Sequence, residues 1–368
     1  MEAPLFSHSI SAAYGTEFEI LLSFGGGQVF RVYATIDQRT TPAEAGARAR
    51  RAEALGYDGI SVADGVHDGL LAAALALAAT TRLEVVIAVL VAFPRSPMAV
   101  AHAAWDLQGM SGGRFSLGLG AQVRGNIVGR YATPWTPPVP RMREYLQSLR
   151  AIFGCFQQGG ALRFEGEHYH FDRLQPFFNP GPVEHPESPL LLGAVGPKMT
   201  ALAGEAADAL VTHPTNTHPR YLREVTRPGL ARGAARTNRD ATDVELMLAP
   251  LVATGAGAEQ TLADREKQRG LLSFLYSTPA YWPSLELFGW GERGKRLRQL
   301  TREGKWDEMP EVISEEMLDE LLPTAPLAEI ADVLRERYAD VATMITFPLP
   351  EDPALDSEVA KVISRLHD

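Results

Sequence analysis

The chain has 368 residues, of which 45% are hydrophobic and 22% charged, a composition typical of a globular protein with a large core. Its net charge of −10 and the lack of a basic run argue against a nucleic-acid partner, and no run is long and apolar enough to predict a membrane span. A single cysteine, Cys155, excludes an internal disulfide and lies in an apolar helical pattern that predicts core packing, so the sequence favours the cytoplasm.

Residues 1–29 precede the first clear strand pattern and are interpreted as an N-terminal extension. Positive charge followed by an apolar run, the pattern of a secretory signal, does not occur there. From residue 30 onward, strand-like runs alternate with helix-like segments, which is typical of parallel βα units. Eight strands are predicted, within residues 30–37, 57–64, 82–93, 114–120, 189–196, 208–213, 244–254 and 341–349.

Helix signals separate these strands. The first predicted helix begins after Thr41, with Pro42 at its first position. Residues 258–276 are predicted to be helical, and residues 327–338 are interpreted as the eighth barrel helix. Eight strands with intervening helices predict an α/β fold, a single (β/α)8 TIM barrel with loop insertions that spans residues 30–368.

Two stretches are predicted to be insertions. The longer one, residues 277–323, is expected to cover the mouth of the barrel, and it contains Trp282, Trp290 and Trp306. The run LRFEGEHYHF predicts a β-hairpin. His168 and His170 within it resemble the His-x-His pair of metal-dependent barrel hydrolases, but those ligands belong on the first barrel strand. No metal site is therefore predicted.

The active site of such a barrel is expected at the carboxyl ends of its strands. Strand two ends in Asp64, His67 and Asp68. A carboxylate and an imidazole there could contact a cofactor ring and relay a proton, or the carboxylates could simply cap the next helix. Both interpretations stay open for Asp64 and His67, and helix capping is favoured for Asp68. After strand three, Ser96 is predicted to cap the following helix.

Strands four to six supply the other candidates. Small residues at the end of strand four allow the backbone to approach a flat ring, although a turn also favours glycine. The turn after strand five opens a helix, whose N–H groups favour a phosphate, although a tight turn needs glycine in any case. His213 ends strand six and either contacts a ligand or has a structural role. The candidate cofactor contacts in these turns are Gly120, Ala121, Gln122, Gly193, Ala194, Val195, Gly196, Pro197 and Lys198.

Several runs together resemble a known family. These runs are residues 56–64, the long segment 88–123, the hairpin FEGEHYHF and residues 193–214. In their order and spacing they resemble the luciferase-like monooxygenases, and within that family the coenzyme F420-dependent oxidoreductases. The resemblance covers about residues 30 to 347.

The resemblance implies a barrel of the bacterial luciferase type with flavin mononucleotide (FMN) or a deazaflavin across its strand ends. It also implies a non-prolyl cis peptide at a bulge in strand three, here at Ala88–Val89, behind the cofactor ring, and it places the cofactor phosphate at the turn after strand five. A homodimer through the early helices is a further implication. Two departures are Gly65, where several relatives have histidine, and Gln122, where some have a small residue.

The leading hypothesis is an oxidoreductase that transfers a hydride between coenzyme F420 and a small organic substrate. His67, Asp64 and His213 are the candidates for a proton relay, with Ala88 and Val89 against the cofactor ring. One alternative is an FMN-dependent monooxygenase that uses reduced flavin and oxygen. Another, suggested by Gly65, is a barrel that binds the cofactor without catalysis.

Overall fold

The computed structural model describes residues 30–368, and the predicted N-terminal extension lies outside the described residues. Its strands are β1 (Arg31–Thr35), β2 (Gly59–Val62), β3 (Glu84–Val91), β4 (Phe115–Gly120), β5 (Phe164–Glu165), β6 (His170–Phe171), β7 (Leu190–Gly193), β8 (Ala209–Val211), β9 (Glu245–Leu248) and β10 (Met344–Pro348). Eight of them close into a barrel in the order β1-β10-β9-β8-β7-β4-β3-β2, and neighbouring barrel strands are parallel. The predicted (β/α)8 barrel is confirmed.

Helices connect the strands around the outside. They are α1 (Pro42–Ala54), α2 (Gly69–Ala79), α3 (Pro97–Ser111), α4 (Arg124–Gly129), α5 (Pro138–Gln158), α6 (Pro197–Ala206), α7 (Pro219–Tyr221), α8 (Arg227–Ala234), α9 (Ala258–Tyr276), α10 (Trp282–Leu287), α11 (Gly291–Glu303), α12 (Glu315–Leu321), α13 (Ile330–Tyr338) and α14 (Asp356–His367). A π-helical turn, Leu222–Thr226, joins α7 to α8. Within residues 30–368, no helix is long and apolar enough to cross a membrane.

The barrel strands are apolar on both faces because both faces are covered. Along β3, Val85 and Ile87 pack outward in the large core under the helices, whereas Val86 belongs to a smaller interior cluster. That interior cluster also contains Tyr33, Leu191, Ala209, Val211, Met247 and Met344. The predicted core position of Cys155 on α5 is confirmed, since its side chain is buried.

Local helix signals worked as predicted. Asp68 accepts hydrogen bonds from the N–H groups of Leu70 and Leu71 at the start of α2. Ser96 likewise accepts one from Met98, with Pro97 at the first position of α3. These caps supply acceptors for helical N–H groups that have no partner inside the helix.

Two predicted elements differ from the structure. The helix at residues 327–338 is not the eighth barrel helix: α13 returns the chain from β9 to β10, and the helix after the last strand is α14. The amphipathic pattern of α14, with Val359, Val362 and Leu366 buried, was overlooked. Strand β9 also ends at Leu248 rather than near residue 254, because the apolar run continues into the core of the insertion.

The long insertion has a core of its own. Leu272 and Tyr276 on α9 pack with Leu285, Leu297 and Leu318 from the helices that follow. The packing unit therefore begins inside α9, before residue 277. Ion pairs from Arg265 and Arg269 to Glu315 and Asp319 join α9 to α12 at its surface.

Candidate active site at the strand ends

A bulge in β3 forms the floor of the candidate site. The peptide bond Ala88–Val89 is cis, as the resemblance implied, and the register of β3 against β4 shifts between Ile87 and Leu90. Both residues of the cis bond are half-buried and pack against the interior cluster, whereas Ile87 and Leu90 are fully buried. The bulge therefore leaves part of the β3 backbone accessible, whereas the residues on either side of it are buried.

The glycines beside the bulge have a packing reason. A Cβ at Gly120 would lie 2.4 Å from Val89 Cγ2, and one at Gly193 would lie 3.0 Å from Val89 Cγ1. At Gly118 it would lie 2.2 Å from the carbonyl oxygen of Ile87. These glycines of β4 and β7 therefore make room for the bulge itself. Their approach to a flat ring, which the sequence suggested, stays a prediction.

Asp64 is held by protein donors on both carboxylate oxygens. Its Oδ2 accepts from the N–H of Val91 at 2.9 Å, and its Oδ1 accepts from the N–H of Gly69 at 3.1 Å. Arg95 adds a bidentate contact at 2.7 and 3.1 Å and also reaches Asp68 at 3.1 Å. The Asp64 side chain is only 4% exposed. The structure therefore gives Asp64 a positioning role, tying the end of β2 to β3, and its place in a proton relay stays a prediction.

Arg95 is the residue that sequence reasoning missed here. It directly precedes the predicted helix cap Ser96, and it neutralises two acids that lie in the loop after β2. Those carboxylates raise the pKa of Arg95 against the opposing effect of its burial, so the guanidinium stays charged.

His67 is half-buried in the same loop and makes no side-chain hydrogen bond to another described residue. Beside it, Arg130 of the segment after α4 donates to the carbonyl oxygen of Gly65. Gly65 itself is not required by the backbone, since a Cβ there would meet only Gln38 Oε1, at 3.4 Å. Of the three relay candidates, Asp64, His67 and His213, only His67 has a side chain that forms no hydrogen bond to another described residue.

The turn from Gly193 to Lys198 presents donors to solvent. The carbonyl oxygen of Ala194 accepts a hydrogen bond from Asn216 Nδ2 at 3.0 Å, and that of Val195 accepts one from the Tyr221 hydroxyl at 3.2 Å. The N–H groups of Val195, Gly196 and Lys198 have no acceptor among residues 30–368. They lie at the N-terminus of α6, where an anion is stabilised. A Cβ at Gly196 would meet nothing within 4 Å, so the turn is open.

Two polar candidates near these turns differ in their contacts. Gln122 has a positive φ of 55°, and its Oε1 accepts from the Val123 N–H at 2.8 Å and from Asn126 Nδ2 at 3.2 Å. It therefore bonds to residues at the start of α4 without capping a helical N–H group. Lys198 is exposed and pairs with no acid in the described part of the chain. Ala121 is half-buried at the end of β4.

His213 is a neutral imidazole. Its Nδ1 lies 2.8 Å from the Thr215 hydroxyl and 3.4 Å from the Thr215 N–H. We assign both as donors to Nδ1, which puts the ring proton on Nε2. The ring stacks on Tyr281 of the insertion, with centroids 4.2 Å apart and planes 13° from parallel. Burial lowers the pKa of His213 to about 4. It therefore stays uncharged near neutral pH and can donate from Nε2 or accept a proton, but it does not act as a cationic acid.

The hairpin carries one cluster with metal-ligating residue types. Ligand atoms of Glu144, Glu167 and His168 lie within 4.8 Å of one another. The Glu144 carboxylate already accepts from the backbone N–H groups of Glu167, His168 and Tyr169, at 3.0, 2.7 and 3.2 Å. Glu144 thus fixes the hairpin turn to α5, a structural role that needs no metal.

A cavity of about 140 Å³ lies at the other end of the barrel, where the strands begin. Tyr33 donates its hydroxyl hydrogen to Glu84 there, and Arg31 pairs with Glu245 at 2.6 Å. Burial and the neighbouring Glu84 raise the pKa of Tyr33, which keeps the phenol protonated. The interior cluster separates this cavity from the residues at the carboxyl ends of the strands.

Comparison with known proteins agrees with this geometry. The family model described as luciferase-like monooxygenase matches residues 22–343. An uncharacterized protein of Mycobacterium tuberculosis is 41% identical over 290 residues, 79% of this chain and 85% of that protein. A putative coenzyme F420-dependent oxidoreductase of the same organism is 29% identical over 261 residues, 66% of this chain and 72% of its own length.

The fold comparison gives a similar result. The coenzyme F420-dependent tetrahydromethanopterin reductase from Methanopyrus kandleri superposes with a TM-score of 0.73 at 16% identity, over 92% of this chain and 98% of the other. At that identity the likeness concerns the barrel fold only. The family match, the barrel and the bulged β3 agree, and the chain belongs to the luciferase-like monooxygenase family.

Proposed function

We propose that this protein is an oxidoreductase that binds coenzyme F420 at the carboxyl ends of its barrel strands and transfers a hydride between it and a small organic substrate. The observation that carries the proposal is the open bulge at Ala88–Val89, on the same strand-end face as the donor-lined turn at residues 194–198. The relative named as a putative F420-dependent oxidoreductase supports the choice of cofactor.

The residues present fit a cofactor with a flat ring and a phosphate. The half-buried bulge offers an uncharged backbone surface for the ring, and the free N–H groups of Val195, Gly196 and Lys198 offer donors for the phosphate. Lys198 adds a positive side chain beside the same turn. When bound, the cofactor would supply the hydride chemistry, and the protein supplies orientation and a dry site.

The chain's own residues have distinct tasks in this proposal. Asp64 and Arg95 hold the loop after β2 against β3, and so fix the position of His67. His67 is the group that holds or delivers the proton that a carbonyl oxygen needs when a hydride adds to its carbon. His213, which is neutral, donates a hydrogen bond from Nε2 to the substrate.

The second candidate is a monooxygenase that uses reduced FMN and oxygen, and the description of the matching family favours it. The same bulge and turn suit FMN equally well, because both cofactors have a tricyclic ring and a phosphate. Cofactor identity therefore separates the two candidates.

The test is a parallel titration of the purified protein with coenzyme F420 and with FMN, followed by tryptophan fluorescence. We expect tighter binding of F420, and then oxidation or reduction of the bound cofactor by at least one member of a panel of alcohols, ketones and aldehydes. Preference for FMN with oxygen uptake would transfer the assignment to the monooxygenase. Tight F420 binding without turnover of any panel member would favour a non-catalytic barrel.

We also propose a homodimer, through the outer face of α2. That helix has no charged or polar side chain, yet Leu71 and Leu75 are 60% and 44% exposed. A helix that is apolar all round is normally covered. On α3, by contrast, Ala101 and Ala104 are buried within the chain and pack internally.

The variant Leu75→Arg is expected to be monomeric, because it places a charge in the middle of this apolar face. Light scattering coupled to size-exclusion chromatography measures the mass. The matched control is Leu262→Arg on α9, where the leucine is 61% exposed and the variant should keep the wild-type mass. A monomeric wild type, or an unchanged mass for Leu75→Arg, would contradict the dimer.

A further inference from the structure

The insertion contributes an aromatic ring to the candidate site. After α9 ends at Tyr276, a short turn at Pro279–Tyr281 brings Tyr281 face to face with His213, 4.2 Å between ring centroids. Sequence reasoning noticed only the tryptophans of this insertion. The tyrosine that touches a candidate catalytic histidine has no signal in its local sequence.

Hydrogen bonds from the insertion and from the barrel both hold the turn that carries His213. Tyr276 is fully buried, and its hydroxyl donates to the carbonyl oxygen of Thr215 at 3.4 Å, next to His213. On the barrel side, Asn216 accepts from the His213 N–H at 2.7 Å and donates to the Ala194 carbonyl at 3.0 Å. The histidine turn is therefore fixed between the insertion and the turn after β7.

The described residues that contact the His213 ring are uncharged. The imidazole contacts Thr215 on its own turn and Tyr281 across the stack, and Asn216 accepts from the backbone N–H of His213. Desolvation lowers its pKa, and no charged side chain of residues 30–368 contributes to that shift. A ring covered on one face by a neutral aromatic loses hydration that would favour its protonated form.

We propose that Tyr281 is a positioning residue for His213: its stacked ring fixes the plane of the imidazole and excludes water from one face. The neutral Nε2–H is thereby kept as a hydrogen-bond donor to an oxygen atom of the substrate. Nε2 meets no acceptor among the described residues, which leaves that donor available. The assignment of the donor to a substrate rests on the proposed function, but the effect of Tyr281 on His213 does not.

The stack therefore gives the insertion a role in the choice of substrate. A neutral donor pairs with the oxygen of an alcohol or a carbonyl compound and adds no charge to attract a carboxylate or phosphate substrate. The chemical class that fits is a neutral oxygenated carbon compound.

The experiment compares Tyr281→Ala, which removes the aromatic ring and uncovers that face of the imidazole, with Tyr281→Phe, which keeps the ring. The titration of the His213 imidazole is followed by NMR between pH 5 and 8, without cofactor, and its signal is identified by its loss in His213→Asn. In the wild type and in Tyr281→Phe, His213 should not titrate in this window. In Tyr281→Ala, which exposes that face of the ring to water, its midpoint should move toward about 6.5, the value of an exposed histidine.

Two outcomes would overturn the proposal. One is a His213 that stays neutral throughout this window in Tyr281→Ala, which would mean that the stack does not set its protonation. The other is a titrating His213 in Tyr281→Phe, since that variant retains the ring. Titration with F420 tests the proposed function separately from the NMR experiment. If the wild type does not bind F420, the proposed function is contradicted and the NMR result is unaffected.

Discussion

The variant Gly196→Asp is expected to fold normally and to bind the cofactor about 100-fold more weakly than the wild type, which corresponds to about 3 kcal/mol. Gly196 has an ordinary extended conformation (φ −85°, ψ 155°) with open space where a Cβ would be, so aspartate fits. Aspartate is also a favourable residue at a helix N-cap. Its carboxylate would occupy the N–H groups of the turn and repel a phosphate at the same place.

The matched control is Gly196→Asn, which has the same shape and the same capping ability without the charge. We expect it to weaken binding by less than about tenfold, so that the difference between the two variants measures the repulsion between charges. Fluorescence titration with F420 gives both affinities. If Gly196→Asp binds as tightly as the wild type, the phosphate does not lie on the turn after β7.

The variant Gly233→Ala is expected to lower the free energy of unfolding by about 3 kcal/mol, a large effect for one methyl group. Helices α6 and α8 cross with their backbones in contact. A Cβ at Gly233 would lie 1.7 Å from the carbonyl oxygen of Ala201, and one at Gly204 would lie 2.1 Å from that of Leu230. Because backbone atoms cannot rotate away, the two helices must separate, which would also displace the start of α6 beneath the proposed phosphate site.

The same substitution at an open helical position is the control. Gly270 lies within α9, and a Cβ there would meet nothing within 4 Å. Gly270→Ala should therefore stabilise the protein slightly, by about 0.5–1 kcal/mol, because alanine loses less backbone entropy in a helix. Urea denaturation measures both variants. Equal effects at the two positions would show that the α6–α8 contact does not constrain Gly233.

The strand-end residues divide into those that the sequence could place and those that it could not. Asp68 and Ser96 were predicted as helix caps, and both are, because a cap bonds to N–H groups only two or three residues away. Asp64 looked much like Asp68 in sequence. Its partner Arg95 comes 31 residues later and meets it only because β2 and β3 are adjacent in the barrel.

The glycine positions show the same limit of prediction from sequence. The sequence suggested that the glycines after strands four and five lie close to a ligand. Gly196 has open surroundings among residues 30–368, and its contact with a ligand stays a prediction. Gly120 and Gly193 accommodate Val89 at the bulge, and their contact with a ligand also stays a prediction. A glycine in the sequence indicates that something approaches closely, but only the packed neighbours show what does.

The amino-acid sequence by itself determined the alternation of strands and helices, the barrel, the helix caps and, through resemblance, the position of the cis peptide at Ala88–Val89. These features depend on hydrophobic periodicity and on hydrogen bonds over a few residues. The tertiary structure alone decided the pairing of Asp64 with Arg95 and the stacking of His213 on Tyr281. Such contacts join segments far apart along the chain, and they exist only because closure of the barrel and packing of the insertion bring those segments together.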